Sequence, residues 1–258
     1  MGQQFKDKTV LITGASSGFG EAFAKSFAAE GARLIIIARR YEKLKELEAA
    51  LITQYNTEII SLELDVSNFE DVKKSLSELP ERFAFPDILI NNAGMVRGLN
   101  PVWETPNKDW NEMIDINIKG ILNVCSQIIP KMLSKQSGHI FNISSVSGYD
   151  TYPGGGVYCA TKHAVRALTD TLRKELVASP IRVSMISPGM AKTEFSLVRF
   201  NGDKTKADKI YDNIEALTSK DVAEIVLFMA SRPPHVNIAD VIVYPTHQAS
   251  VSILHRNV

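Results

Sequence analysis

Short apolar runs alternate along the chain with segments in which apolar residues recur at helical spacing. The runs predict strands at residues 8–13, 33–38, 58–64, 87–90, 139–143, 181–186 and 238–244. The periodic segments predict helices at residues 21–30, 41–53, 67–79, 108–133, 157–177 and 220–230. Ser67 or Asn68 is expected to cap the third of these helices, and Ser219 the last. Strands that alternate with helices in this way predict a single α/β domain with a parallel, doubly wound sheet of about seven strands.

The composition is that of an ordinary globular protein, and it narrows the classes of function. Lys plus Arg and Asp plus Glu both number 29 in the 258 residues. This balance argues against a nucleic-acid or membrane-surface partner. No apolar run approaches the ~18 residues of a membrane span, and the first eight residues lack a signal-peptide pattern, so we expect a cytoplasmic protein. Cys125 and Cys159 fall within predicted helices, which favours core positions over a disulfide, and we expect no metal site.

A glycine-rich turn follows the first predicted strand. It contains Gly14, Gly18 and Gly20 and leads directly into a predicted helix. Glycines permit a tight turn and a close backbone approach, and the free N–H groups of a helix N-terminus attract a pyrophosphate. Such a turn can also serve packing alone. The strand before it and the helix after it favour a nucleotide site.

Charged residues follow the second and third predicted strands. The second strand ends in Arg39-Arg40, where dinucleotide-binding folds commonly carry an acid for the ribose hydroxyls. A guanidinium suits a phosphate, so this pair predicts the 2′-phosphate of NADP. The alternative is two solvated charges at a helix start, a place that usually prefers acids. Asp65, after the third strand, either accepts from an adenine amino group, which we favour, or caps the next turn.

Further polar residues and turns fall at the same predicted edge of the sheet. Asn91-Asn92 ends the fourth strand, where the amides can bond backbone across strands and leave room for a ribose. Asn117 lies within a helix, either for a kink and a bound water or as an exposed polar residue. Pro188-Gly189 follows the sixth strand, and the polar, irregular segment after it has the composition of a lid.

The stretch 142–162 has the pattern of an active site. An apolar strand ends in Ser144-Ser145, and a loop leads to a helix that carries Tyr158 and Lys162 four residues apart, on one face. A free tyrosine titrates near pH ~10, and a neighbouring cation lowers that pKa. We therefore expect Tyr158 to act as a general acid or base.

Together these motifs resemble the short-chain dehydrogenase/reductase family over essentially the whole chain. The residues that carry the resemblance are Thr13-Gly14-x-x-x-Gly18-x-Gly20, Asn91-Asn92-Ala93-Gly94, Asn117, Ser145, Tyr158-x-x-x-Lys162 and Pro188-Gly189. It implies a Rossmann-type fold over residues 1–258, and hydride transfer between NADP and a carbonyl or alcohol. The implied cofactor contacts are Gly14, Ser16, Ser17, Gly18, Phe19, Gly20, Arg39, Arg40, Asp65, Val66, Asn91, Asn92, Tyr158, Lys162, Pro188, Gly189 and Thr193.

The resemblance also implies catalytic roles for four residues. Tyr158 would exchange a proton with the substrate, and Ser145 would orient the carbonyl. Lys162 would bind the nicotinamide ribose and lower the pKa of Tyr158, and Asn117 would hold a water for proton relay. Of the two adjacent serines, Ser145 is chosen because the serine of this family lies thirteen residues before its tyrosine.

The carboxyl-terminal third is similar to the NADP-dependent 3-hydroxy acid dehydrogenases, notably at residues 193–200 and 235–238. This similarity implies small substrates such as serine, allo-threonine and malonic semialdehyde, a homotetramer, and a lid at about residues 190–212. The segment after Pro188-Gly189 is one residue shorter than in these enzymes, and Ser144 stands where they have glycine. Arg199 either pairs with a substrate carboxylate or is a solvated lid residue.

Two other functions are compatible with the sequence. One is an NADPH-dependent reductase of a different carbonyl, such as a 3-oxoacyl thioester or a diketone. The other is a non-catalytic protein that senses NADP(H) or serves as a scaffold. Such a protein could dispense with Ser145, Tyr158 and Lys162, and their presence therefore favours an enzyme.

Overall fold

Seven strands in the described part of the chain form one sheet, and every neighbouring pair in it is parallel. The computed structural model describes residues 3–256. Met1 and Gly2, which belong to the segment expected to lack a signal-peptide pattern, lie outside the described residues. The strands are β1 (Thr9–Thr13), β2 (Arg33–Ala38), β3 (Ile59–Glu63), β4 (Ile88–Asn91), β5 (Gly138–Ile143), β6 (Ile181–Pro188) and β7 (Asp240–Val243). Their spatial order is β3-β2-β1-β4-β5-β6-β7, which confirms the predicted doubly wound sheet.

Helices cover both faces of this sheet. They are α1 (Gly18–Ala29), α2 (Tyr41–Tyr55), α3 (Phe69–Ser77), α4 (Asn107–Ile114), α5 (Gly120–Lys135), α6 (Gly156–Glu175), α7 (Phe195–Arg199), α8 (Lys204–Lys209) and α9 (Ser219–Ala230). On one face α1, α2 and α9 pack against strand residues such as Val10, and on the other α3, α5 and α6 pack against residues such as Leu11. Burial of alternate residues on opposite faces explains why the strands are continuous apolar runs in the sequence.

The helix predicted at residues 108–133 is interrupted. A single π-helical turn, Asp115–Lys119, separates α4 from α5, and it contains Asn117. The side chain of Asn117 is buried, so the alternative of an exposed polar residue is wrong. The kink and the bound water stay predictions. Single π turns inside α-helices are frequent at functional sites.

The segment after β6 differs from its prediction in two respects. We expected it to be irregular, but it contains the short helices α7 and α8. The strand β6 itself continues to Pro188, so Ser187 and Pro188 belong to the sheet and not to a turn. None of the helices within residues 3–256 combines the length and apolar character needed to cross a membrane. Cys125 and Cys159 are both buried and free.

The caps of two helices were predicted from the sequence, with different outcomes. Asn68 caps α3 by accepting a hydrogen bond from the backbone of Asp71, which selects one of the two expected residues. Thr218 caps α9, so the assignment of Ser219 is wrong. Thr218 Oγ1 accepts from the backbone N of Asp221, whose side chain accepts from the backbone N of Thr218. Ser219 is already the first helical residue.

Replacing Thr218 by alanine removes one half of this capping box. We expect Thr218→Ala to lower the free energy of unfolding by about 1 kcal/mol, measured by urea denaturation. The adjacent Ser219→Ala is the matched control and should change it by less than about 0.5 kcal/mol. Equal losses in the two variants would contradict the assignment of the cap.

Candidate active site

A cavity of about 480 Å³ lies at the carboxyl ends of the strands. It adjoins the boundary between β1 and β4, where the strand order reverses, and ligands of open α/β sheets bind at such a point. Most of the residues singled out in the sequence line it: Gly14, Ser16, Ser17, Gly18, Phe19, Arg39, Arg40, Asp65, Val66, Asn92, Ser145, Tyr158, Lys162, Pro188, Gly189, Thr193 and Arg199. Gly20, Asn91 and Asn117 do not line it.

Glycines shape the turn between β1 and α1. Gly14 has φ +68° and Gly18 has φ +58°, a backbone region that favours glycine. The helix α1 begins at Gly18, so its N-terminus lies at the cavity wall, where it can attract a phosphate. A Cβ added at Gly20 would lie 2.3 Å from the carbonyl oxygen of Gly14. Gly20 is therefore corrected from a cofactor contact to a packing residue that closes the turn.

The two arginines after β2 have different surroundings. Arg40 Nε lies 3.1 Å from Ser16 Oγ, and its Nη2 donates to Ser17 Oγ at 2.6 Å. Its Nη1 pairs with Glu194 Oε2 at 2.8 Å. The side chain of Arg39 is 61% exposed and lies 3.6 Å from a carboxylate oxygen of Asp65. Arg40 is thus fixed at the glycine turn, whereas Arg39 extends largely into solvent.

Asp65 caps the turn that follows β3. Its Oδ1 accepts hydrogen bonds from the backbone N of Ser67 at 2.9 Å and from the Ser67 hydroxyl at 2.7 Å. Asp65 was expected either to bind adenine or to cap this turn, and these hydrogen bonds show that it caps the turn. Asp65 nevertheless lines the cavity, so a contact with adenine stays a prediction.

Asn91 and Asn92 serve different parts of the structure. Asn91 is buried and donates to Asn142 Oδ1 at 2.8 Å, which joins β4 to β5. Its predicted role as a cofactor contact is corrected accordingly, because this side chain lies in the interior behind the cavity. Asn92 Nδ2 donates to the carbonyl oxygens of Thr13 at 2.9 Å and Gly14 at 3.2 Å. It holds the glycine turn against the end of β4.

Asn117 connects the loop after β4 to α6. Its Oδ1 accepts from the backbone N of Met95 at 2.8 Å, and its Nδ2 donates to Met95 O at 2.9 Å and to Thr161 Oγ1 at 3.0 Å. A Cβ added at Gly94 would lie 3.4 Å from Asn117 Oδ1 and 3.5 Å from Lys162 Nζ. The glycine therefore leaves free space beside Lys162.

Ser145, Tyr158 and Lys162 meet at the end of β5. Ser145 begins a short 3₁₀ turn, in which its Oγ accepts from the backbone N of Ser147 at 3.1 Å. Tyr158 and Lys162 are buried on α6. Lys162 Nζ donates to the carbonyl oxygen of Ile143 at 2.9 Å and lies 5.9 Å from the centroid of the Tyr158 ring. The strand, the turn and the helix together bring a hydroxyl, a phenol and an amine to one wall.

The pKa of Tyr158 is raised in this structure, although we expected it to be lowered. Burial raises the pKa of Tyr158 above its ordinary value, and the nearby Tyr152 raises it further, whereas a hydrogen bond with Ser145 and the charge of Arg199 oppose the increase. Burial also lowers the pKa of Lys162 to about 8. Loss of solvation thus outweighs the attraction between unlike charges. Tyr158 holds its proton at neutral pH and can donate it.

Arg199, at the end of α7, reaches the same wall. Its Nη2 donates to the Tyr152 hydroxyl at 2.5 Å, and its guanidinium carbon lies 6.0 Å from the centroid of the Tyr158 ring. Within the described chain, Arg199 Nε is buried and has no hydrogen-bond partner. Arg199 is half-buried, so the interpretation of a solvated lid residue is wrong. Phe195 packs against Tyr158 with ring centroids 5.7 Å apart.

Comparison with known proteins shows to which family the chain belongs. The model of the short chain dehydrogenase family matches residues 8–203. The chain belongs to this short-chain dehydrogenase family. It is 41% identical over 250 residues to the NADP-dependent 3-hydroxy acid dehydrogenase of Schizosaccharomyces pombe, and the match covers 96% of each protein. It is 39% identical to the serine 3-dehydrogenase of Rhizobium radiobacter, over 93% of this chain and 95% of the relative.

A solved structure extends the similarity to three dimensions. The closed form of a serine dehydrogenase complexed with NADP+ superposes with a TM-score of 0.90 at 41% identity. The match covers 96% of this chain and 100% of that one. The fold inferred from the strand order is therefore that of a short-chain dehydrogenase along nearly its full length.

Several cavity residues of this short-chain dehydrogenase were not identified from the sequence, among them Tyr152, Glu194 and Gln248. Tyr152 lies in the loop before α6, and Glu194 lies in the segment predicted as a lid, but nothing in those segments indicates their partners. Gln248 comes from the carboxyl-terminal segment, and its Oε1 accepts from the backbone N of Met190 at 2.7 Å. Its contribution depends on a contact between residues far apart in the chain, which no local pattern encodes.

Burial of Lys162 makes the stability of the protein depend on pH. The pKa of Lys162 is about 8 in the folded chain and 10.5 for the ordinary side chain. The buried charge therefore destabilises the fold fully below pH 8, and this effect disappears as the pH rises towards 10.5. Relative to Lys162→Met, the wild type should gain about 3 kcal/mol of unfolding free energy over that interval.

Urea denaturation of both proteins at pH 7, 8, 9 and 10 measures this difference. Lys220→Met is the control, because the side chain of Lys220 is 82% exposed, and its difference from wild type should stay nearly constant. A difference between wild type and Lys162→Met that does not vary with pH would show that Lys162 is not desolvated.

Proposed function

We propose that this protein is an NADP-dependent oxidoreductase that transfers a hydride between nicotinamide and a small 3-hydroxy acid or its carbonyl form. Serine, allo-threonine and malonic semialdehyde are substrates of this type. The observation that carries the proposal is the position of Tyr158 and Arg199 in one cavity, with the guanidinium carbon 6.0 Å from the phenol ring centroid. A proton donor thus lies beside a cation suited to a carboxylate. The names of the relatives support this assignment.

The residues present fit NADP. The glycine turn and the N-terminus of α1 would hold the pyrophosphate. Arg40, with the hydroxyls of Ser16 and Ser17, would hold the 2′-phosphate, because these side chains offer hydrogen-bond donors at one place. The bound nicotinamide would supply or accept the hydride.

The chain itself would handle the proton. We propose that Tyr158 donates its phenolic proton to the carbonyl oxygen during reduction and receives a proton from the hydroxyl during oxidation. Ser145 would donate a second hydrogen bond to the same oxygen and so orient it. Lys162, whose amine already donates to Ile143, would use another N–H to bind the ribose. Asn117 would hold a relay water through the π turn that contains it.

Further residues are proposed as contacts at the two ends of the cofactor. Asp65 and Val66 would bind the adenine, since both line the cavity after β3. Pro188, Gly189 and Thr193 would face the nicotinamide end. A Cβ at Gly189 would lie 2.4 Å from Gln248 Oε1, so this position has room for glycine alone beside Gln248.

Residues 190–212 are proposed as a lid over the substrate. Arg97 ties this segment to the body of the fold, because its Nη1 donates to Val198 O at 2.9 Å and its Nε pairs with Glu112 at 2.8 Å. Closure would bring Arg199 to the substrate carboxylate. We propose that residues 1–258 form a single catalytic domain that includes this lid.

Assembly and location are also proposals. A homotetramer is supported by apolar side chains that remain exposed on the helical faces, among them Ile114 and Leu122. A monomeric mass in light scattering would contradict it. A cytoplasmic location is supported by the two free, buried cysteines. Fractionation of the source cells would contradict it if the protein were found in another compartment.

Loss of the phenolic hydroxyl tests the assigned chemistry. We expect Tyr158→Phe to lower kcat by at least about 10³-fold, because general acid catalysis of this kind contributes ~10²–10⁴. NADPH binding, measured by fluorescence titration, should persist. Tyr149→Phe, which removes a hydroxyl outside the cavity lining, is the matched control and should retain activity. Substantial turnover by Tyr158→Phe would remove this residue from its role.

The substrate class is tested by a carbonyl panel with NADPH. Malonic semialdehyde should be reduced better than diacetyl or an acetoacetyl thioester, because only an acid can pair with Arg199 in the cavity. We expect Arg199→Gln to raise the KM for malonic semialdehyde by about 10- to 100-fold, as for the loss of a charged hydrogen bond. The KM for diacetyl should change by less than about twofold. Equal effects on both substrates would favour a general carbonyl reductase instead.

A further inference from the structure

Glu194 of the lid lies against the cations that surround the glycine turn. Its Oε2 is 2.8 Å from Arg40 Nη1, and its Oε1 is 3.2 Å from Lys43 Nζ. Burial alone would raise the pKa of Glu194, but the hydrogen bonds from Arg40 and Lys43 outweigh it and lower the pKa below its ordinary value. The carboxylate is therefore charged at neutral pH, between two cations.

The other nitrogens of Arg40 point to a different partner. Nε and Nη2 lie at the hydroxyls of Ser16 and Ser17, on the turn that precedes α1. Arg40, Lys43 and the two hydroxyls form a set of donors that suits a doubly charged phosphate better than a single carboxylate. Glu194 lines the cavity beside this set and is 38% exposed, so it can leave without opening the core.

We infer that Glu194 is a specificity-determining residue for the cofactor, because its carboxylate competes with the 2′-phosphate for Arg40 and Lys43. This inference rests on the proposed use of NADP. A nucleotide with a 2′-phosphate must displace Glu194 and then meets its repulsion, whereas a nucleotide without that phosphate leaves the ion pairs intact. Glu194 thus weakens binding of the phosphorylated cofactor selectively and sets the size of the preference for it.

The position of Glu194 links this competition to the substrate side. Glu194 is the residue immediately before α7, which carries Phe195 against Tyr158 and Arg199 beside Tyr152. When a phosphate replaces the Glu194 carboxylate at Arg40, the change therefore occurs at the start of α7, the helix whose Arg199 is proposed to bind the substrate. Release of NADP after turnover is assisted in the same way, since Glu194 returns to the cations that the phosphate leaves.

Calorimetry with two nicotinamide-free probes tests the inference independently of activity. The probes are 2′,5′-ADP, which carries the 2′-phosphate, and 5′-AMP, which lacks it. Glu194→Gln keeps the shape of the side chain and removes its charge, so we expect it to bind 2′,5′-ADP about three- to tenfold more tightly than wild type. Its affinity for 5′-AMP should change by less than about twofold. Because the effect is electrostatic and partly exposed, the gain should shrink in 0.5 M salt.

Two further variants serve as controls. Glu215→Gln removes a carboxylate from an exposed residue outside the cavity lining and should bind both probes as wild type does. Arg40→Gln should lower the affinity for 2′,5′-ADP towards that for 5′-AMP, which tests the proposed 2′-phosphate site itself.

The outcomes separate the two proposals. Suppose that wild type binds 2′,5′-ADP more tightly than 5′-AMP and that Arg40→Gln loses this preference. If Glu194→Gln then binds 2′,5′-ADP no more tightly than wild type does, the competition alone is overturned. Equal binding of both probes by wild type and by Arg40→Gln would overturn the proposed use of NADP, and the role of Glu194 with it.

Discussion

The site depends on one constraint, the parallel pairing of strands that are buried on both faces. Their backbone groups are satisfied only within the ladder, so the connections must run over the helical faces and every strand ends at the same edge. The reversal of order between β1 and β4 leaves a crevice at this edge. At this edge the side chain of Arg40 contacts that of Glu194, which lies 154 residues later in the chain. The topology creates the cavity, and the residues at the carboxyl end of each strand determine its chemistry.

Burial in this crevice then decides the protonation of Tyr158 and Lys162. A phenol and an amine one helical turn apart would stabilise each other's charged forms in solvent, but here both are desolvated. The amine of Lys162 donates to the carbonyl oxygen of Ile143, and burial disfavours the charge on each group. The site therefore holds a neutral phenol, which is the form required to protonate a carbonyl oxygen.

The sequence predicts the sheet, most helix positions and most residues at its ligand edge, because apolar periodicity and glycine turns are local. It mispredicts properties that depend on distant or opposing contributions. The inward direction of Asn91 depends on its strand register with Asn142. The pKa of Tyr158 is a sum in which burial exceeds the charges. The partners of Arg40 include Glu194, a residue of the segment after β6 that no neighbouring motif marks. Even the choice of Thr218 over Ser219 depends on backbone conformation at one residue.

Recognition of charge in this protein is local. Equal numbers of acidic and basic residues leave no net charge to attract an anionic cofactor or substrate from a distance. Arg40 with Lys43 lies at one end of the cavity and Arg199 at the other, and α7 with the preceding Glu194 touches both. Because screened, partly exposed ion pairs contribute little each, the inferred selectivity depends on geometry, in which the 2′-phosphate replaces the Glu194 carboxylate at Arg40. We infer that this one short helix couples binding of the cofactor phosphate to the position of Arg199.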